Sequence, residues 1–318
     1  MKILILQNRM GIGDMIMFLP FIEAISKKFK TPVTILVKKN TKVEMYFNNK
    51  EIVEEIMYLE REDNEKHSGV RGFFKLVNEL KLKKFDKVFI FNSSLRYFLI
   101  SKFSGIKEVF HYPLFKKKNQ QIIEAAKEFT LKSIGEDVES TPRLFLKEQD
   151  ILKAKKDHSI DQSITNIILG IGGSGKTKRV PASIFKSFMS KVLKRSNCRF
   201  FLMTGNNIDE LKIMDEIIES EYKEYCTPLN NFTIKEILPI IPNCQIAICN
   251  DSSFSHLSAA LQIPTIVLMT DTPIIYGNYS PYMHPIIPDG EQLVKHDTLG
   301  KEKINPDKIL YKLKEILS

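Results

Sequence analysis

Ala247-Ile248-Cys249-Asn250-Asp251-Ser252-Ser253-Phe254-Ser255-His256-Leu257-Ser258-Ala259-Ala260-Leu261, with the apolar run Ile263 to Leu268 close behind, holds the pattern from which the rest of the chain can be placed. An apolar strand runs into a small polar turn, the turn opens a helix bearing hydroxyls and a histidine, and a second apolar strand follows. That is a βαβ unit with its chemistry at the strand's carboxyl end. Ligands of open α/β sheets bind in that crevice, and the free N–H groups of a helix start attract anions. Asp251, Ser252, Ser253, Ser255 and His256 therefore read as half of a phosphate or nucleotide site. The alternative for His256 is a helix residue satisfying a local hydrogen bond.

Upstream, the same grammar begins at Ile164 to Leu169, a strand ending in Gly170-Ile171-Gly172-Gly173-Ser174-Gly175-Lys176-Thr177-Lys178-Arg179-Val180-Pro181. Helix Ile184 to Leu193, strand Arg199 to Thr204, the turn Gly205 to Glu210, helix Leu211 to Glu219 and strand Gln245 to Cys249 follow. Gly170 to Thr177 matches the P-loop pattern GxxxxGK[ST] letter for letter, and Asp251 could then pose as a magnesium-binding aspartate. A P-loop needs an unbroken helix from its Gly-Lys-Thr end. Pro181 stands four residues after Thr177, and a proline in a helix interior costs ~3 kcal/mol. The competing reading ends the loop before Pro181 and starts the helix at the proline, whose fixed φ suits that place. Ser174, Lys176 and Lys178 then reach from a glycine-rich rim toward phosphate, unless the lysines simply line a solvated loop.

The first half opens with strand Lys2 to Gln7, saturated with Ile and Leu as a strand buried on both faces should be. It delivers Asn8-Arg9-Met10-Gly11-Ile12-Gly13-Asp14 and a helix from Met15 to Phe29. Ile16 stands where a dinucleotide fingerprint would need its third glycine, so that pattern fails. Asp14 near the helix start is either a cap or a functional carboxylate. Strands at Val33–Val37, 52–58, 87–91 and 108–112 alternate with helices at 70–82 and 120–134, and 143–146 offers one more short strand. Alternation of this kind predicts parallel sheets with right-handed crossovers. The expected fold is α/β, with two Rossmann-like domains, 1–155 and 156–318, facing across a cleft, and a last helix able to pack back on the first domain.

Composition bounds the function. No run of about 18 apolar residues is present, so no membrane span is expected, and the N-terminus reads as a first strand, not a signal peptide. Cys198, Cys226, Cys244 and Cys249 lack metal-ligand spacing, so buried reduced thiols and a cytoplasmic location are expected, with no metal site. The net charge of +9, with runs such as Lys116-Lys117-Lys118 and the lysines of 81–84, serves either solubility or attraction to an anionic partner such as a membrane leaflet. No recognition pattern for nucleic acid accompanies it.

Three islands together resemble glycosyltransferase family 9, the heptosyltransferase-like enzymes of lipopolysaccharide core assembly. They are Gly13-Asp14 with Leu19-Pro20, Gly172 to Pro181, and Asn250 to Leu257 with Ala259-Ala260. The resemblance implies a GT-B architecture with an N-terminal acceptor domain and a C-terminal donor domain. It implies an inverting transferase that moves a sugar, first of all a heptose from ADP-heptose, onto a lipid-linked saccharide, working at the inner face of the cytoplasmic membrane without a cofactor or a metal. Asp14 matches the proposed general base, with Gly11 and Gly13 on the acceptor side. Lys178 matches the lysine on the donor phosphates. Gly173, Ser174, Lys176, Asp251, Ser252, Ser253, Ser255 and His256 complete the donor set, and either Asp209 or Glu210 meets the ribose. Val180 replaces the family's usual aromatic, and Ser252-Ser253 its usual Thr-Gly, which bears on sugar and base identity. A P-loop phosphotransferase and a non-catalytic nucleotide-sugar-binding paralogue are the alternatives.

Overall fold

The computed structural model describes residues 1–114 and 122–318. The Lys116 to Lys118 run and the first residues of the helix expected from Gln120 lie outside the described residues. The chain divides into two compact units, Met1–Pro142 and Arg143–Ser318.

In the first unit the elements are β1 (Ile3–Gln7), α1 (Ile12–Phe29), β2 (Val33–Val37), β3 (Val53–Tyr58), α2 (Gly69–Lys83), β4 (Lys87–Ile90), α3 (Leu95–Phe103), β5 (Glu108–His111) and α4 (Ile122–Ile134). The strands form one parallel sheet in the order β3-β2-β1-β4-β5. All five residues of β1 and of β2 are buried, as near-continuous Ile, Leu and Val in a doubly covered sheet require. The strand order reverses between β1 and β4, so the turn after β1 opens at the place where such sheets bind ligands. Helix α1 starts earlier than expected, at Ile12. Gly11 is its N-cap at φ 93°, a left-handed setting that favours glycine, and Asp14 falls within its first turn.

The second unit comprises α5 (Glu148–Asp157), β6 (Thr165–Gly170), α6 (Ala182–Leu193), β7 (Cys198–Met203), α7 (Ile208–Ile218), β8 (Cys226–Pro228), α8 (Ile234–Ile237), β9 (Ile246–Asn250), α9 (Ser253–Ala260), β10 (Thr265–Leu268), β11 (Met283–Ile286) and α10 (Pro306–Leu317). Its parallel sheet runs β11-β10-β9-β6-β7-β8, with the reversal between β6 and β9. Helix α6 buries Ile184, Phe185, Phe188, Met189 and Val192, a helical stripe that meets Ile167, Leu169, Phe200 and Leu202 of the sheet.

Two expectations need correction. A boundary at 155/156 would cut α5. The chain already belongs to the second unit from Arg143, because Leu144 N–H donates to Ala260 O at 2.8 Å and Asn243 Nδ2 donates to Ile151 O at 3.1 Å. Residues 143–146 form no strand. The last helix, α10, packs on α6 and on β10 and β11 within its own unit. All four cysteines are unpaired and lie in this unit, Cys198, Cys244 and Cys249 buried and Cys226 half-buried. Burial pushes their thiols up, to about 12 for Cys226 and Cys249.

Candidate functional site

At the reversal of the second sheet, the strands approach closely because Gly170 has no side chain. A Cβ there would lie 2.5 Å from Cys249 Sγ. Asn250, the last residue of β9, is fully buried and spans the gap. Its Nδ2 donates to Ile171 O at 2.7 Å and to Gly172 O at 3.3 Å, and its Oδ1 accepts from Val180 N–H at 3.4 Å. The glycine-rich loop is thereby laced to the neighbouring strand at both ends. Lys176–Lys178 form a single 3-10 turn, Arg179 to Pro181 are extended, and α6 begins at Ala182 with Pro181 as its N-cap rather than its first residue. The helix that a P-loop needs after Gly175 is therefore missing, as the position of Pro181 requires.

Four side chains converge beyond this loop. Lys178 Nζ lies 2.7 Å from Asp251 Oδ2, and His256 Nε2 lies 4.0 Å from Asp251 Oδ1. His256 Nδ1 hydrogen-bonds the Tyr279 hydroxyl at 2.6 Å, the two rings lying nearly parallel. Asp251 is only 4% exposed. Burial pushes its carboxyl up, but Lys178 first and His256 next outweigh this and hold it below the ordinary carboxylate value. Its place just before α9 helps, since a helix start favours a negative charge. Ser252 is the N-cap of α9, yet its hydroxyl is buried and hydrogen-bonds nothing among the described residues. Ser255 Oγ instead donates back to Ser252 O at 2.7 Å, so it shapes the turn.

Asp209 and Glu210 prove unlike each other. Both lie in the first turn of α7, which starts three residues earlier than expected because the Asn207 side chain caps it, accepting from Asp209 N–H. Glu210 is buried and accepts from Gly205 N–H at 2.7 Å, Gly173 N–H at 3.2 Å and the Thr204 hydroxyl at 3.4 Å. Buried Arg179 reinforces it, with Nη2 at 3.5 Å from Glu210 and Nε donating to Gly173 O at 2.7 Å. Glu210 thus ties two glycine turns together. Asp209 is the more exposed of the pair and holds Arg179 at 3.3 Å and Lys176 at 3.7 Å. Ser174 and Lys176 stand exposed on the rim. A Cβ at Gly172 would meet Glu210 Oε2 at 2.9 Å, whereas one at Gly173 would meet nothing closer than 3.9 Å. Among the described residues no three of His, Cys, Asp and Glu are grouped to hold a metal ion.

In the first unit, Asp14 Oδ1 accepts from Arg9 Nε at 3.0 Å, the two flanking the turn that contains Gly11 and Gly13. Arg9 also lines a cavity of about 880 Å³ between β5 and α4, with Asn92 and Lys132 as further polar lining. Its floor is an edge-to-face trio of Phe91, Tyr112 and Phe129, centroids 5.0–6.0 Å apart. The Tyr112 hydroxyl is buried with no hydrogen-bond partner among the described residues, and burial pushes its pKa up.

A family model described as glycosyltransferase family 9 (heptosyltransferase) matches residues 111–285, more than half of the 318. The chain belongs to glycosyltransferase family 9. A lipopolysaccharide heptosyltransferase 1 from Campylobacter coli is 26% identical over 161 residues, a stretch covering 48% of this family 9 chain and 46% of that protein, so the chain spans about half of that relative's length. Among solved structures, the E. coli ADP-heptose LPS heptosyltransferase II superposes with TM-score 0.75 at 18% identity, covering 100% of this chain and 98% of that one. A family 9 glycosyltransferase from Veillonella parvula gives 0.76 at 16% (99% and 97%), and the E. coli heptosyltransferase WaaC with ADP gives 0.70 at 13% (99% and 100%). These likenesses establish the GT-B fold of family 9 for this chain.

Sequence reasoning passed over Arg179, Asn250 and Tyr279. Asn250 and Arg179 sit inside the quoted islands and have the side chains to bridge a glycine loop, so their type and place were signal enough. Tyr279 comes from a turn-rich segment between β10 and β11, and nothing local links it to His256.

Proposed function

We propose that this chain is an inverting glycosyltransferase that moves a heptose from ADP-heptose onto a lipid-linked saccharide at a membrane leaflet. The observation that carries it is the Lys178–Asp251–His256 group at the strand-order reversal, beside a glycine-rich loop and the open start of α9. The family's description and relatives named as heptosyltransferases support the sugar, and structures titled with ADP or ADP-heptose support the donor. The acceptor hydroxyl attacks the anomeric carbon, Asp14 takes its proton, and the nucleoside diphosphate leaves with the bonding electron pair. Arg9 orients the Asp14 carboxylate for that proton. Lys178 turns from Asp251 to the diphosphate, where charge gathers as the bond breaks, assisted by Lys176, the Ser174 hydroxyl and the N–H groups opening α9. Asp209, the less committed acid, meets the ribose, and Glu210 holds the loop. Charge on the diphosphate is met by these groups, and no cofactor enters the scheme. The cavity beside Arg9 receives part of the acceptor.

Calorimetry with ADP-, GDP-, UDP- and dTDP-linked sugars, with ATP–Mg as rival, followed by transfer assays, tests this. ADP-heptose binding with transfer is expected. Lys178→Ala should weaken donor binding about 10-fold or more, since a charge-assisted contact to phosphate is lost, and Lys176→Ala should do less. ATP–Mg binding abolished by Lys176→Ala would overturn the proposal in favour of a phosphotransferase. Tight donor binding with no transfer to any acceptor would leave a non-catalytic binder.

A further inference from the structure

We propose that the solvent face of α2 and α3 is a docking surface for an anionic lipid bilayer. Scattered exposed apolar residues are ordinary; this group is contiguous. Phe73 touches both Phe74 (5.2 Å between centroids) and Phe103 (6.0 Å), forming an aromatic strip across the two helices. Phe74 is 58% and Phe103 63% exposed, and Val70, one turn before Phe74 on the same side of α2, is 74% exposed.

The charge around the strip has one sign. Over residues 69–84 and 95–107 the chain places Arg71, Lys75, Lys81, Lys83, Lys84, Arg96, Lys102 and Lys107 against a single acid, Glu79. Glu79 is already engaged, 2.7 Å from Lys66 and 3.2 Å from His67, and Lys83 pairs with Glu55. The acids nearest in sequence, Asp86 and Glu108, lie off the two helices and are engaged by the Lys2 N–H and by Lys87, and Glu62, Asp63 and Glu65 lie on the turn before α2. Arg96 fixes the two helices to each other. Its Nη2 donates to His67 O and Gly69 O at 2.9 and 2.8 Å, and its guanidinium lies 5.4 Å from the Phe73 ring centre. The face is therefore held in shape before any partner arrives.

Aromatic residues amid lysines suit a bilayer interface, where rings enter the headgroup boundary and cations meet anionic lipid. A protein partner is less well matched, because lysine is depleted from protein interfaces. The proposed lipid-linked acceptor gives this docking a purpose, but vesicle binding is measured without donor or acceptor, so either idea can fail alone.

The test is sedimentation of the full chain with vesicles of phosphatidylcholine alone or mixed equally with phosphatidylglycerol. The wild type should bind the anionic vesicles, less so at high salt, and bind the neutral ones weakly. Phe74→Ser/Phe103→Ser should lower binding about 10-fold or more, and Arg71→Gln/Lys75→Gln/Lys81→Gln should lower it and flatten the salt dependence. Lys153→Gln/Lys155→Gln/Lys156→Gln on α5 removes the same charge elsewhere and should bind as wild type. Unchanged melting temperature and ADP binding show that each variant is folded. Equal losses from both triple variants would reduce the effect to net charge and overturn the proposal. So would wild-type binding by the phenylalanine variant, or a solution dimer that this variant dissolves.

Discussion

Lys178 and Asp251 are paired before any donor arrives, so each protects the other. Removing the cation strands a carboxylate that is nearly out of solvent, and Lys178→Met should cost about 3 kcal/mol of unfolding free energy in urea titrations at neutral pH. Adding Asp251→Asn should return most of that stability without returning donor affinity. The pairing also sets a pH dependence. The folded carboxyl lies below its ordinary 3.8, so its stabilising contribution is whole above that value and is lost as pH falls through the lower folded value. The stability gap between wild type and Asp251→Asn should therefore be widest near neutrality and close below pH 3.8. Asp14→Asn is the counterpart in the first unit, where turnover should fall about 10²–10⁴-fold with donor binding retained. Asp251 was legible as a polar residue placed directly after a buried strand, and Lys178 and Asp14 as polar residues in the segments that follow one. That Glu210 rather than Asp209 ties the two glycine turns together was not, because only the approach of Gly205 and Gly173 to one carboxylate shows it.

The loop between β6 and α6 is held by side chains from other elements, and its behaviour should change when they go. Asn250→Ala leaves Ile171 O and Gly172 O without a buried donor, a loss of about 2 kcal/mol. The expected signature is a lower melting temperature together with weaker donor binding, because the loop carrying Lys178 is released. Glu210→Gln keeps the shape but loses the ion pair to Arg179 and should act in the same direction, more mildly. The letters of this loop spell a P-loop; Pro181 argued against that reading in the sequence, and the helix begins only at Ala182. Helix starts were read less well. Gly11 and Asn207 start their helices three residues before the apolar periodicity becomes visible, since capping is local chemistry and periodicity needs a full turn.

Alternation of strands and helices revealed two parallel sheets because most of their strands are short apolar runs bounded by polar turns; β8 (Cys226–Pro228) and β11 (Met283–Ile286), which are not, went unread. It could not reveal where one unit ends. That border is set by single bonds such as Leu144 N–H to Ala260 O, between residues more than a hundred apart in sequence. A polypeptide of residues 143–318 carries a whole sheet and its own core, and should fold and bind ADP when made alone, as circular dichroism and calorimetry would report. The placement of the four cysteines has a further consequence. Cys198, Cys244 and Cys249 are buried and their thiols are pushed up by that burial, so their alkylation waits until the second unit opens. The chain thus carries three built-in reporters confined to one half. Cys249, beside Gly170, marks the loss of the strand contact beneath the glycine loop, so its labelling rate, followed by mass spectrometry, becomes a clock for the opening of that half alone.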